Sequence, residues 1–221
     1  MTIDQAYRFV NFVSNKEQRG NIKPADFNLL APICQLELIA NLLGNEEKLT
    51  ERAVPLYGYK SNRKIDTILL PLVTGPVGVN SDSMGEFVYP SGFIWVDSVY
   101  TPSNTVTMRI IDQDEYQHVK KSTIHPPSAS YPIVIFRQPK GYCEPNGTGF
   151  QMTYVKMPTD PYWAYVVMSG EPVYTGSGSV DFAVHAIGHL RICMKILQAV
   201  GINLDAIQIM QYAKLKEDSG V

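Results

Sequence analysis

Apolar positions divide the chain into three zones. Residues 1–45 and 179–221 repeat apolar side chains at spacings of three and four, the period of one helix face. The zone between holds short runs of β-branched and aromatic residues broken by Pro and Gly, the habit of strands and turns. A first helix is expected over residues 3–16, with Tyr7, Phe9, Val10, Phe12 and Val13 as its apolar body. Thr2 caps it, and Gln5 three positions on completes a capping box. Gly20-Asn21 makes the next turn, and Pro24 opens a second helix at the position that lacks no partner for its missing N–H. Phe27, Leu30, Cys34 and Leu38 recur there at helical spacing, with Ala31 beside them. Pro32 predicts a bend in this helix and Gly44 its stop. Residues 46–64, polar and of both charge signs, read as a mobile loop.

The central zone, residues 46–178, predicts strands over 65–70, 92–100, 105–111, 132–137, 149–157 and 163–168. Acidic Asp112, Asp114 and Glu115 suit the positive end of a short helix over about 112–121. Thr74-Gly75-Pro76-Val77-Gly78 is expected to be a turn, and residues 141–147 a hairpin tip. Gly176-Ser177-Gly178-Ser179 reads as a flexible joint. Beyond it, Ala183, Ala186, Ile187, Leu190, Cys193, Met194 and Leu197 form an apolar stripe that places Leu190 in the core. Gly201 ends that helix and Asn203 caps another bearing Leu204, Ile207 and Met210, giving a C-terminal helical hairpin. The expected fold is α+β: an N-terminal helical pair, a central antiparallel β region, and the hairpin (179–221) packed on the first pair, all as one structural unit.

Composition narrows the function classes. Charged residues make up 18% of 221 residues, against about 25% in an average soluble domain. That lean surface charge favours a protein that buries surface against partners. The net charge is −2 and the basic runs stop at pairs such as Arg63-Lys64 and Lys120-Lys121, so no basic stripe marks a nucleic-acid binder. Three separated cysteines, Cys34, Cys143 and Cys193, argue against a disulfide scaffold and for a reducing compartment. The N-terminus lacks the basic start and apolar run of a signal peptide, and no span of eighteen apolar residues predicts a membrane crossing. Asn146-Gly147-Thr148 has the form of a glycosylation sequon and reads as a turn.

Chemistry-bearing patterns are sparse. His185, His189 and Cys193 at i, i+4 and i+8 share one helix face and are the best metal candidates. Ala186 stands where a zincin would carry its Glu base, and no Cys-x-x-Cys pair completes a ligand set. Hydrogen-bonded or packing histidines explain the pattern better. Asp112, Asp114 and Glu115 fail the calcium-loop pattern, since Gln117 holds the position that needs Gly. Thr74 to Gly78 lacks the Gly-Lys-Ser/Thr of a phosphate loop, and no G-x-S-x-G elbow occurs. Nothing places His118 or His125 beside Cys143 for nucleophilic work. The aromatics Trp95, Tyr100, Tyr131, Tyr142, Tyr154, Tyr162, Trp163 and Tyr165 suit a core or an interface better than a base-stacking platform, given the missing basic groove. No catalytic, cofactor or metal residues are therefore assigned, and the expectation is a protein that is not an enzyme.

Several stretches resemble virion structural proteins of Bacteroidetes phages, including the crAss-like phages. The opening shows Asn15-Lys16, Gln18, Gly20, Pro24 and Phe27-Asn28 in the order of that family's start. The middle is similar over Val106 to Glu115, Ile124 to Pro127 and Tyr131-Pro132-Ile133, as are Tyr154, Pro158, Pro161 and Trp163. Gly201-Ile202-Asn203-Leu204 and Gln211-Tyr212-Ala213 resemble the family's close. The resemblance implies a ring or connector subunit, a dodecamer stacked below the portal or within the tail, made in the host cytoplasm and carried in the virion. Its partners would be its own copies and neighbouring ring, portal or tail proteins, with DNA passing through and no cofactor. The rivals are a head-completion or cargo protein of the same virion, and a small cytoplasmic enzyme with a metal at His185 and His189.

Overall fold

The computed structural model describes residues 1–16, 20–50 (side chains up to 43), 67–103, 106–124 and 126–201. The chain is mixed α+β with several antiparallel sheets. It divides into two compact units, Met1–Pro71 with Pro158–Val221, and Leu72–Met157.

The first unit is built on helices α1 (Ile3–Lys16), α2 (Pro24–Thr50) and a later helix over Ala186–Ala199, which packs against both. The capping box of α1 forms as the sequence expects. The Gln5 amide N–H donates to Thr2 Oγ1 at 3.3 Å and the Thr2 N–H to Gln5 Oε1 at 3.0 Å. The buried face is Ile3, Ala6, Val10 and Ser14, and Phe12 lies on the wet side. Gly44 does not stop α2, which runs on to Thr50 with Pro32 inside it. A helical glycine costs only about 1 kcal/mol against Ala, so it halts a helix only where the chain also turns left-handed. The rest of the expected loop lies outside the described residues.

Long-range polar ties seat residues 158–183 on α2. Gln35, fully buried, donates to the Thr159 carbonyl at 3.0 Å and accepts from the Ala183 N–H at 2.8 Å. One turn-pair earlier, Asn28 brackets the Trp163 backbone, donating to its carbonyl and accepting from its N–H. Among the described residues, Pro24–Leu43 is the one stretch long and apolar enough to cross a membrane, which the count of purely apolar residues had not predicted. Here its inner face (Phe27, Ala31, Cys34, Leu38, Ile39) is core of this unit. A two-stranded hairpin, Tyr165–Met168 with Glu171–Tyr174, also belongs to this unit. The expected flexible joint after it is fastened: Ser179 Oγ donates to Thr175 O and accepts from the Ala164 N–H, and Tyr162 pairs with Val180.

The second unit holds β1 (Val73–Asn80), β2 (Glu86–Phe87), β3 (Phe93–Tyr100), β4 (Arg109–Ile110), α3 (Gln113–Lys120), β5 (Ile133–Ile135), β6 (Gly141–Glu144) and β7 (Gly149–Lys156). The hairpin strands of the first unit are then β8 and β9, and its last helix is α4. Strands order β1-β7-β3 in one sheet and β2-β6-β5-β4 in another. Val79, Val99, Phe150 and Met152 from the first sheet meet Phe87, Val134 and Cys143 from the second in one core, the arrangement of a small sandwich. Val134 points into that core while its neighbours Ile133 and Ile135 pack under Ile111 and Tyr116, so β5 is covered on both faces.

Four expectations for this region are corrected. Residues 67–69 are helical and Leu70–Leu72 forms a 3-10 turn, because Pro71 cannot donate to a sheet ladder. The turn expected at Thr74 to Gly78 is strand β1, whose pairing with β7 shifts between Thr74 and Val77. A bulge there absorbs the Gly-Pro pair within the strand. The hairpin tip expected at 141–147 begins as strand β6, bending only after Glu144. The central region is not wholly antiparallel, since β4 and β5 pair in parallel. Gly141 is required where it stands: a Cβ there would meet the Phe87 ring at 2.1 Å.

The helix α4 exists where expected, but its buried face is Gly188, His189, Ile192, Cys193, Ile196 and Leu197. Leu190 and Ile187, assigned to the core by the sequence stripe, are on the outside. Apolar residues nearly encircle this helix, so a spacing of three or four fits more than one face. Gly201 adopts φ +87° and ends the helix as expected. The second helix of the expected hairpin lies outside the described residues.

Candidate functional site

The metal candidates do not converge. His185 caps α4, its side chain accepting from the Ile187 N–H at 3.4 Å. His189 is buried with each ring nitrogen on a backbone carbonyl, Nδ1 at 2.8 Å from Met1 O and Nε2 at 2.9 Å from Val184 O. Burial pushes the Cys193 thiol up to about 12, which keeps it from becoming the thiolate a metal needs. Among the described residues no group of three His, Cys, Asp or Glu side chains could hold a metal ion. Cys143 is fully buried in the sandwich core, where burial raises its thiol as well, so it presents no nucleophile.

The densest titratable cluster was not foreseen. Glu144, at the end of β6, accepts from Tyr116 OH at 2.7 Å, Tyr142 OH at 3.1 Å and Lys120 Nζ at 3.0 Å. Lys120 also donates to Tyr116 OH and lies over both tyrosine rings. Burial lifts the Glu144 carboxyl, and the bonds from Tyr116, Lys120 and Tyr142 outweigh it, leaving the group below the usual carboxylate range. Tyr116 is raised, first by burial and then by its bonds to Tyr142 and Glu144. Lys120 is raised by its bonds to Tyr116 and Glu144. Each group is thus held in its resting protonation state, the opposite of what an acid or base near neutrality requires. The cluster clamps α3 to β6. Only the acid-aromatic content of these two segments hinted at it, and their pairing is a matter of tertiary structure.

Concave surface in the second unit includes a hollow of about 380 Å³ by Thr107, Arg109, Val119, Tyr131 and Ile133, and an open one of about 560 Å³ by Val77, Asn80, Asp82, Glu86, Phe87 and Lys140. Its charges are spent internally. Lys140 pairs with Glu86 at 2.9 Å, and Asp82 Oδ1 accepts the N–H groups of Met84 and Glu86. Of the aromatics singled out in the sequence, Trp163 and Tyr154 are core residues, whereas Tyr131 and Tyr162 are exposed. The Trp163 ring lies 4.2 Å from that of Tyr7, tilted by 32°, and its indole N–H donates to Asp4 Oδ1.

Exposed apolar side chains are the more telling surface. On the first unit, α2 presents Leu29 (66% exposed) and Ile33 (55%), spaced four apart, and α4 presents Ile187 (59%) and Leu190 (46%), spaced three apart. The β8–β9 hairpin adds Val166, Val167, Met168 and Val173, so its apolar residues are spread over both faces. Contiguous exposed apolar surface marks sites that meet other molecules, and the second unit exposes apolar side chains as well, Val88 (70%) and Ile124 (80%) among them. No family model matches the chain, and no curated protein matches it.

Proposed function

We propose that this chain is a structural subunit of a bacteriophage virion that forms a ring of the tail or neck below the portal. In this reading copies assemble head to tail, a dodecamer being the expected number, and the ring links neighbouring tail components while leaving a passage for DNA. The observation that carries it is the ordered apolar exterior of the first unit, on α2, α4 and the β8–β9 hairpin. Heterologous ring contacts need such surface on each subunit, and a stable interface buries more than about 1,000 Å² of accessible surface in total, polar and apolar together. The sequence resemblance to phage virion proteins supports the same reading. So does the chemistry of the Glu144 cluster, whose groups are locked and not poised.

The reading includes the finer fold: the segment after Gly201 returns along α4 as the second arm of a hairpin. The protein is made in the host cytoplasm and ends in the particle, without enzymatic activity of its own. Negative-stain electron microscopy of the purified chain tests this. Closed annuli of uniform subunit number are the expected result. Particles that contain the chain without any annulus would assign it to head completion or cargo instead.

A further inference from the structure

Among the described residues, two strand edges lack the usual guards against pairing. Open edges are ordinarily kept from joining other chains by charge, shortness, proline or a bulge. In the sandwich the edge strands are β1 and β3 of one sheet, β2 and β4 of the other. β2 and β4 are two residues long and carry Glu86 and Arg109. β3 carries Asp97 and two register shifts. The first half of β1 has Pro76 and its own shift, but residues 77–80 run in regular register with β7 and have none of these devices. There the 560 Å³ hollow opens, between this edge and Glu86, Phe87 and Val88 along the edge of the opposing sheet. Gly78 stands exposed in the middle of the edge, and a Cβ added to it would meet nothing within 4 Å. A bare glycine inside a strand suits the close approach of another backbone.

The hairpin of the first unit supplies the second such edge. β9 is guarded by Glu171 and by Pro172, which has no N–H to donate. β8 reads Tyr-Val-Val-Met, with neither charge nor proline, and its Val166, Val167 and Met168 are exposed. Like the open stretch of β1, it is four residues long. We propose that β8 of one copy adds as a strand to residues 77–80 of β1 in a second copy, with its apolar side chains entering the hollow over Val77 and Phe87. The contact rests on the ring reading and deepens it, because donor and acceptor edges differ and so join copies head to tail. Backbone hydrogen bonds along the joined edges supply the affinity, and alternate side chains of β8 supply the fit. Charge agrees with this occupant. Glu86 on the far lip serves two cations, Lys140 at 2.9 Å and Arg137 at 3.9 Å, which leaves that lip one positive charge over. Asp82 turns its carboxylate to the N–H groups of Met84 and Glu86. The one charge on the incoming hairpin is the negative Glu171.

Sedimentation velocity of full-length Gly78→Glu, of Val167→Asp and of their equimolar mixture tests the contact. Gly78 lies outside the left-handed region and has open space beside it, so Gly78→Glu should fold. Each variant keeps one sound edge and spoils the other, so each alone should sediment as monomer where the unaltered chain assembles. In the mixture, β8 of Gly78→Glu meets an intact β1 on Val167→Asp, and a pair with one copy of each should form and grow no further. Absence of that pair, or Gly78→Glu assembling like the unaltered chain, overturns the contact. Hydrogen exchange of the unaltered chain, dilute and concentrated, needs no variant. Amides within 77–80 and 165–168 should gain protection on assembly, and no gain overturns the contact even where Gly78→Glu does not fold. An unaltered chain that stays monomeric takes the ring reading down with it, whereas assembly without the mixed pair or the protection sinks the strand contact alone.

Discussion

The sandwich of the second unit and the helical layer of the first spend their apolar residues differently. In the sandwich, strands draw their largest side chains inward, and β5 is covered on both faces by the opposing sheet and by α3. In the helical unit, α2 and α4 bury one face and carry a second apolar line outside, and β8–β9 is apolar on both sides. An isolated two-stranded hairpin has little stability of its own in water, so such a hairpin gains most when something covers it. The sandwich unit exposes apolar side chains too, but Met84, Val88, Ile124 and Met157 lie in its turns and loops, whereas those of the helical unit lie on helices and paired strands, where the proposed assembly contacts are assigned.

Substitutions sharpen that contrast, beginning with the largest effect. Ile192→Asp places a charge on the fully buried face of α4 and should cost more than about 4 kcal/mol, unfolding the helical unit in circular dichroism melts. Met152→Ala should open a cavity in the sandwich and cost about 2–5 kcal/mol by denaturant titration. Leu190→Asp and Val167→Asp alter outward positions and should change monomer stability by about 1 kcal/mol or less while abolishing self-association. Equal destabilisation by Leu190→Asp and Ile192→Asp would erase the distinction between the two faces. The smallest effect is electrostatic. Because the Glu144 carboxyl is held below its ordinary range, its stabilising contribution is present above that range and fades as pH falls below about 4. Glu144→Gln should remove that acid-side loss, read as a flatter Tm profile below about pH 5.

What the sequence revealed follows from the range of the forces involved. The start and cap of α1 were legible because Thr2 and Gln5 act within one turn. The termination of α4 at Gly201 was legible for the same reason. The face of α4 was not, since Ile187, Leu190, Ile192, Met194 and Ile196 leave the stripe ambiguous until α1 and α2 choose a side. Strand β1 was hidden by Gly75-Pro76, which marks a turn unless a partner strand supplies a bulge. The ties of Gln35 to Thr159 and Ala183 span more than a hundred residues, and nothing local announces them. As for the candidate site, the i, i+4 spacing of His185 and His189 drew attention to a metal, whereas their actual partners include backbone groups that no side-chain pattern encodes.

Sedimentation velocity of the purified full-length chain tests the central claim most directly. The account predicts a discrete multi-subunit species that Val167→Asp reduces to folded monomer. A wild-type chain that sediments as a single monomer at every concentration, with Val167→Asp indistinguishable from it, would contradict the account.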